Sequence, residues 1–321
     1  MLKFLRLIAL VLFPAMLALP ASAETYPSRT VKLIVPFGAG GPADVYARIL
    51  AKYLSEETKH SFVVEDRPGA GSLLGTDLVA KSAPDGYTLL VMSNTHTTNE
   101  SLIPNKPYQL MRDFLPVATI NYSDLLMVVN PSVPAKTVAE FIALAKKDPG
   151  KLNYASSGPG TPYHMAGELF KAMSHTDIVH IPHKASGDAR NSVLSGNVQM
   201  MFDAVTTMSA LAQAGKVRAL ATTGAKRNPL TPDLPTVAET VPGYEATIWL
   251  GLMAPKGTPQ DVITFLNTSI NKVIELPAVK EAWLKQGAIP LVKTPAEFDA
   301  YLHKDIEKWA EVVKVSGAKV Q

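Results

Sequence analysis

The chain has 321 residues, 47% of them hydrophobic and 18% charged, with 31 basic against 28 acidic side chains and no cysteine. That length allows about two domains, each able to bury a core of its own. The lack of cysteine excludes disulfides, thiolate zinc sites and cysteine nucleophiles, and a net charge of +3 gives no broad electrostatic footprint for nucleic acid.

At the start, Lys3 and Arg6 precede an apolar run from Leu7 to Leu19 that ends in Ala21-Ser22-Ala23. This is the pattern of a secretory signal peptide with an A-x-A cleavage site. The run is shorter than the ~20 residues that cross a bilayer, and Pro14 interrupts it. The mature protein is expected to begin at Glu24 and to work in a bacterial periplasm.

Strands then alternate with helices. Residues 31–36 read as a buried strand and 45–54 as a helix with Val45, Ile49, Leu50 and Tyr53 on one face. A second strand is expected over 61–65, a second helix over 75–82, and a third strand over 87–93 after the Pro84-Asp85-Gly86 turn. This spacing implies parallel pairing and a layered α/β domain. The pattern changes at Asp124. An apolar strand over 125–129 ends at Asn130-Pro131, and Thr137-x-x-Glu140 forms a capping box opening a helix through Lys147. A second α/β series follows, with strands at 152–155, 177–181, 198–202 and 217–222 and helices at 162–174, 187–195 and 208–214.

Residues 246–253 read as another apolar strand, and Thr258-Pro259 caps a helix carrying Val262, Phe265, Leu266, Val273 and Ile274. The last helix repeats Phe298, Leu302, Ile306, Trp309 and Val313 on an amphipathic face. If it packs on the first domain, the chain crosses between domains near Asp124 and again near Glu245. The expected organisation is a signal peptide at 1–23, a first lobe at 24–124, a second lobe at 125–244 and a return to the first at 245–321. Two crossings make a hinge with a cleft between the lobes.

Two glycine-rich loops, one per lobe, carry the strongest functional signal. Phe37-Gly38-Ala39-Gly40-Gly41-Pro42-Ala43-Asp44 joins a strand to a helix, where glycines free the backbone and the helix start leaves amide hydrogens for an anion. A plain strand-to-helix turn is the simpler alternative. The spacing also fits G-x-G-x-x-A, with Glu65 or Asp66 ending the next strand, the dinucleotide pattern of a Rossmann-type enzyme. Free nicotinamide cofactor is scarce outside the cytoplasm, so that enzyme reading ranks below a binding one. Asp44 reads as a helix N-cap.

The second loop, Ser156-Ser157-Gly158-Pro159-Gly160-Thr161-Pro162, again opens a helix, with Thr161 placed to cap it. A third polar loop, Ser93-Asn94-Thr95-His96-Thr97-Thr98-Asn99, lies at the carboxyl end of a strand, where open α/β sheets bind ligands. Simple helix capping is its alternative. Asp203 also ends a strand, placed either to receive an ammonium group or to hold the adjoining loop. There is no G-x-S-x-G, H-E-x-x-H or P-loop. Nothing fixes Ser157, His164 and Asp203 together as a triad, and His180 and His183 lack a carboxylate to complete a metal set. No catalytic residue, metal or cofactor is expected.

Six stretches then follow in order through the chain: Pro36-Phe37-Gly38-Ala39-Gly40-Gly41 with Asp44, Arg67-Pro68-Gly69-Ala70-Gly71, Ala83-Pro84-Asp85-Gly86-Tyr87-Thr88-Leu89-Leu90, Tyr154 to Thr161, Gly215-Lys216-Val217-Arg218-Ala219-Leu220, and Pro232-Asp233-Leu234-Pro235-Thr236-Val237-Ala238-Glu239. Together they resemble the extracytoplasmic receptors of tripartite tricarboxylate transporters, the Bug family. The resemblance implies an α/β, two-lobed periplasmic-binding-protein (Venus-flytrap) fold that closes on a small organic acid and presents it to transporter membrane subunits. The acid would be a di- or tricarboxylate, an aromatic carboxylate or an acidic amino acid.

Carried over, the ligand contacts fall on Gly38, Ala39, Gly40 and Gly41, on Ser93, Asn94 and Thr95, on Ser157, Gly158, Gly160 and Thr161, and on Asp203. Relatives often show Tyr-Lys-Gly-Gly where this chain has His183-Lys184-Ala185-Ser186, and Phe-Asp-Asn where it has Phe202-Asp203-Ala204. Those departures bear on the distal part of the ligand, and His96 adds a titratable group to the third loop. The expected protein is a periplasmic monomer with no chemical step and no nucleic-acid partner. A carboxylate sensor feeding a signalling partner would use the same site. Without Lys3 and Arg6 the chain keeps 29 basic and 28 acidic groups, so anion selection is expected from oriented amides and hydroxyls and not from a basic field.

Overall fold

The computed structural model describes residues 25–319, and the signal peptide expected at 1–23 lies outside the described residues. The chain opens with β1 (Val31–Val35), α1 (Pro42–Thr58), β2 (Phe62–Asp66), α2 (Leu73–Ala80), β3 (Thr88–Ser93), α3 (Asn94–Leu102), α4 (Leu110–Asp113) and β4 (Phe114–Ser123). It continues with β5 (Leu125–Val129), α5 (Val138–Lys147), β6 (Asn153–Ser156), α6 (Pro162–Ser174), β7 (Val179–Pro182), α7 (Ser186–Leu194), β8 (Met200–Ala204), α8 (Val205–Gln213) and β9 (Arg218–Thr222). The return segment holds β10 (Ile248–Pro255), α9 (Gln260–Ile274), α10 (Pro277–Leu284), β11 (Ala288–Pro290) and α11 (Pro295–Ser316). No helix among the described residues is long and apolar enough to cross a membrane.

Two sheets form, ordered β11-β4-β10-β3-β1-β2 and β7-β6-β8-β5-β9. As the spacing predicted, β1 pairs in parallel with both β2 and β3, and β6 with both β7 and β8. The chain leaves the first sheet at Asp124 and returns to it through β10, so each sheet receives an antiparallel strand next to a crossing, and β11 adds a second to the edge of the first. β10 lies between β3 and β4, and β5 between β8 and β9.

Side-chain alternation divides each lobe into layers. Along β1 and β3, Val31, Leu33, Leu89 and Val91 face α1 and α9, while Ile34, Leu90 and Met92 face the layer of Phe298 and Leu302. β5 is buried on both faces: Leu125, Met127 and Val129 enter one core, and Leu126 and Val128 the other. That explains its unbroken apolar run.

The structure departs from the sequence reading in three places. The polar stretch after β3 is not a loop; it is α3, buried from Asn94 to Asn99. Its hydroxyls satisfy the chain locally, Thr97 and Thr98 both donating to the Asn94 carbonyl at 2.9 Å. Asp305 of α11 accepts from Thr97 at 2.6 Å and from the Trp249 indole at 3.2 Å. Secondly, β4 and β11 complete the first sheet although Pro116 interrupts the pattern of β4, and the register with β10 shifts near its partner Met253.

Thirdly, α11 does not stay with the first lobe. Phe298 and Leu302 pack there, but Trp309 and Val312 enter the second lobe's core beside Phe141 and Phe170. Lys308 Nζ, in between, donates to the Glu245 carbonyl at the second crossing, 2.7 Å away. The helix thus packs into both lobes.

Candidate functional site

Two adjoining cavities of about 740 and 250 Å³ lie between the lobes and share Phe37, Gly41, Tyr163 and Ile248 on their walls. Five helices begin at this cleft. The starts of α1 at Pro42, α6 at Pro162, α7 at Ser186 and α8 at Val205 all line it, and Ser93 and Thr95 bring the start of α3. A helix start carries unpaired N–H groups and the positive end of the backbone dipole, so their convergence makes a cleft suited to anions.

The first glycine loop follows β1 directly. Gly41, extended at φ −76°, is the N-cap of α1, and Pro42 takes the first helical position. Asp44 is therefore not the cap. It sits one turn in and reaches back, accepting the Gly40 N–H at 2.7 Å and holding Arg48 Nε at 2.5 Å. Gly40 has φ +74°, which favours glycine there. Gly38, Ala39, Gly40 and Gly41 all line the larger cavity.

The second loop follows β6 and is braced from behind. Ser156 Oγ accepts the Gly158 N–H at 3.1 Å and lies 2.6 Å from His180 Nε2, while the Gly160 N–H donates to His164 Nδ1 at 3.0 Å. Thr161 caps α6 as expected. The His164 and His180 rings stack at 4.1 Å, with Tyr154 over His180 at 4.9 Å. The Tyr154 hydroxyl hydrogen-bonds Glu168, which also pairs with Lys171 at 3.0 Å. Burial pushes His164 down to about 4, helped by Lys171, and burial with His164 alongside pushes His180 down to about 3. His164 and Asp203 each have other partners, so no triad is assembled with Ser157.

Ser157 lines both cavities, and Ser93, Thr95 and Thr161 line the smaller one. Asn94, Gly158, Gly160 and Asp203 stand behind these walls. Asn94 donates its side-chain amide to the Thr247 carbonyl at 3.2 Å, beside the second crossing. Gly160, at φ +75°, leaves so little room that an added Cβ would come within 2.5 Å of Leu102 on α3. His96 does not reach the cleft. It is fully buried, accepts the Ser93 N–H at Nδ1, sits 2.9 Å from Thr76 through Nε2, and is pushed down to about 4 by burial.

Asp203 is also fully buried, and its oxygens are engaged by Arg190 and by the Ala204 N–H. Burial pushes its carboxyl up, and Arg190 with the Ala204 amide pulls it back. Of the two roles open to Asp203, this geometry is that of a holder. The cleft does contain basic groups, because Lys184 and Arg190 line the larger cavity. Neither residue was singled out in the sequence as a ligand contact. Tyr46, Tyr163 and Gln286, which also line it, carried no signal in the sequence.

A family model described as the tripartite tricarboxylate transporter family receptor matches residues 46–318. The protein BugT of Bordetella pertussis is 37% identical over 324 residues, covering 100% of this chain and 99% of its own. Among solved structures, R. palustris Rpa4515 with adipate superposes with a TM-score of 0.83 at 34% identity, over 92% of this chain and 100% of its own. MatC from Rhodopseudomonas palustris with bound malate gives 0.78 at 29% identity, over 90% and 100%.

Proposed function

The chain belongs to the tripartite tricarboxylate transporter receptor family, and on that footing we propose that it captures a small organic carboxylate in the periplasm and hands it to transporter membrane subunits. One observation carries the ligand class: five helix starts and residues of both glycine loops line a single interlobe cleft. The adipate and malate bound by the two structural relatives support the same class. Binding needs no chemical step. A carboxylate that touches both lobes favours the closed arrangement by its greater affinity for it, and the closed surface is what a membrane partner reads.

Gly38 to Gly41, Ser93, Thr95, Ser157 and Thr161 act as the direct contacts in this proposal, and Asn94, Gly158, Gly160 and Asp203 shape them. A thermal-shift screen of the mature protein against di- and tricarboxylates, aromatic carboxylates, acidic amino acids and NAD(H) tests the proposal. Stabilisation by carboxylates is expected. Stabilisation by NAD(H) alone would sink it. Crosslinking of the carboxylate-loaded protein to the membrane subunits, absent without ligand, tests delivery.

A further inference from the structure

The two halves of the cleft differ in charge. Ser93, Thr95 and Thr161 line the smaller cavity, while Lys184 and Arg190 stand on the wall of the larger. The wall the two cavities share sets Phe37, Tyr163 and Ile248 beside Ser123, Ser157 and Ser186. A ligand filling both halves would meet neutral polar residues at one end and cations at the other.

Arg190 is held in a particular way. Its Nε and Nη2 donate to the two oxygens of Asp203 at 2.5 and 3.3 Å, and among the described residues its Nη1 meets no acceptor. Asp203 is wholly buried, whereas the Arg190 side chain is 26% exposed. The pair has no net charge, but it is oriented: its carboxylate is buried in the lobe, and the partly exposed Arg190 lines the cavity. A guanidinium fixed by a buried carboxylate gives up little further freedom when it binds, and it presents a planar fork that fits a second carboxylate. Lys184, without an acidic partner among the described residues, adds a positive charge to the same wall. Asp203 is wholly buried, paired with Arg190 and outside the lining of both cavities, so it is not placed to receive a ligand's ammonium group.

We propose that Arg190, positioned by Asp203, is the specificity residue for a second anionic group, and that the protein selects straight-chain dicarboxylates over monocarboxylates of the same length and over acidic amino acids. This rests on the carboxylate-receptor reading above. The test is isothermal titration of the mature protein with adipate, hexanoate and glutamate. One charge-assisted contact predicts adipate binding tighter than hexanoate by about tenfold or more.

In Arg190→Gln the ratio of adipate to hexanoate affinity should fall to about threefold or less, and Arg190→Lys should keep part of it. Arg190→Gln leaves Asp203 buried without its counterion. The double variant Arg190→Gln/Asp203→Asn removes both charges and gives the same readout if the single variant does not fold. Wild-type protein that binds adipate and hexanoate equally, or a preference that survives both variants, overturns the inference and leaves the receptor reading standing. Wild-type protein that binds no carboxylate overturns the receptor reading itself.

Discussion

The two glycine-rich loops face one cleft but are held in opposite ways. The first is shaped by its own helix: Asp44 reaches back to Gly40, and the Gly41 N–H turns to the Gly38 carbonyl. Around Gly38 and Gly40 there is open space where a Cβ would be. The second is held by a layer behind it, through Ser156, His164 and His180, and Gly160 is pressed against Leu102 of the other lobe. One loop is a local motif carried on a helix start. The other is a template whose shape depends on neutral imidazoles and on contact across the cleft.

The largest expected effect is at Gly160. A non-glycine residue at φ +75° costs about 1–2 kcal/mol before any contact is counted, and a β-branched side chain would also push on Leu102. Gly160→Val should weaken carboxylate binding by about thirtyfold or more by titration calorimetry. Gly38→Ala, with open space and no positive φ, should change it by less than about threefold. Equal losses at the two positions would erase the distinction between the loops.

Acid comes next. The pKa values of His164 and His180 lie below the ordinary 6.5, at about 4 and about 3, because burial disfavours their charged forms. The folded state therefore refuses protons that the unfolded chain accepts. The stability involved is complete above about pH 6.5 and is lost as the pH falls toward 4 and 3. Melting temperatures measured between pH 7 and pH 4 should fall, and a His164→Gln/His180→Gln variant should show a shallower slope. An unchanged slope would mean that the brace does not depend on neutral imidazoles.

Smaller effects follow. Ser156→Ala removes the acceptor of the Gly158 N–H and the partner of His180, and should cost about 1 kcal/mol in binding, roughly fivefold. Asp44→Asn keeps an oxygen for Gly40 but weakens the contact with Arg48, whose side chain is half exposed, so a change of under about 0.5 kcal/mol is expected from urea melts. A larger loss at Asp44 than at Ser156 would reverse the ranking of the two loops.

The parts legible in the sequence were those written locally. Gly41-Pro42 and Thr161-Pro162 mark helix starts by their own chemistry, and the apolar run of β5 announces burial on both faces. α3 was not legible, because Asn94 to Ser101 has no apolar period and is helical only where Asp305, Thr76 and the Asn94 carbonyl take up its polar groups. Arg190 was missed for a related reason: its partner Asp203 is thirteen residues away on another element, and only the fold brings them together. Amphipathic spacing showed that one face of α11 is buried. It carried no information about which lobe would cover each half.

That division of α11 bears on how the molecule melts. At 1.5 Å per residue the helix is ~33 Å long, with Phe298 and Leu302 set in one core and Trp309 and Val312 in the other. Neither lobe can come apart without dragging on aromatic groups that the other needs, and losing one such large side chain typically costs about 3–5 kcal/mol. Heat should therefore take both lobes down in one cooperative step, with calorimetric and van't Hoff enthalpies in agreement, although the chain is divided into two sheets and two cores.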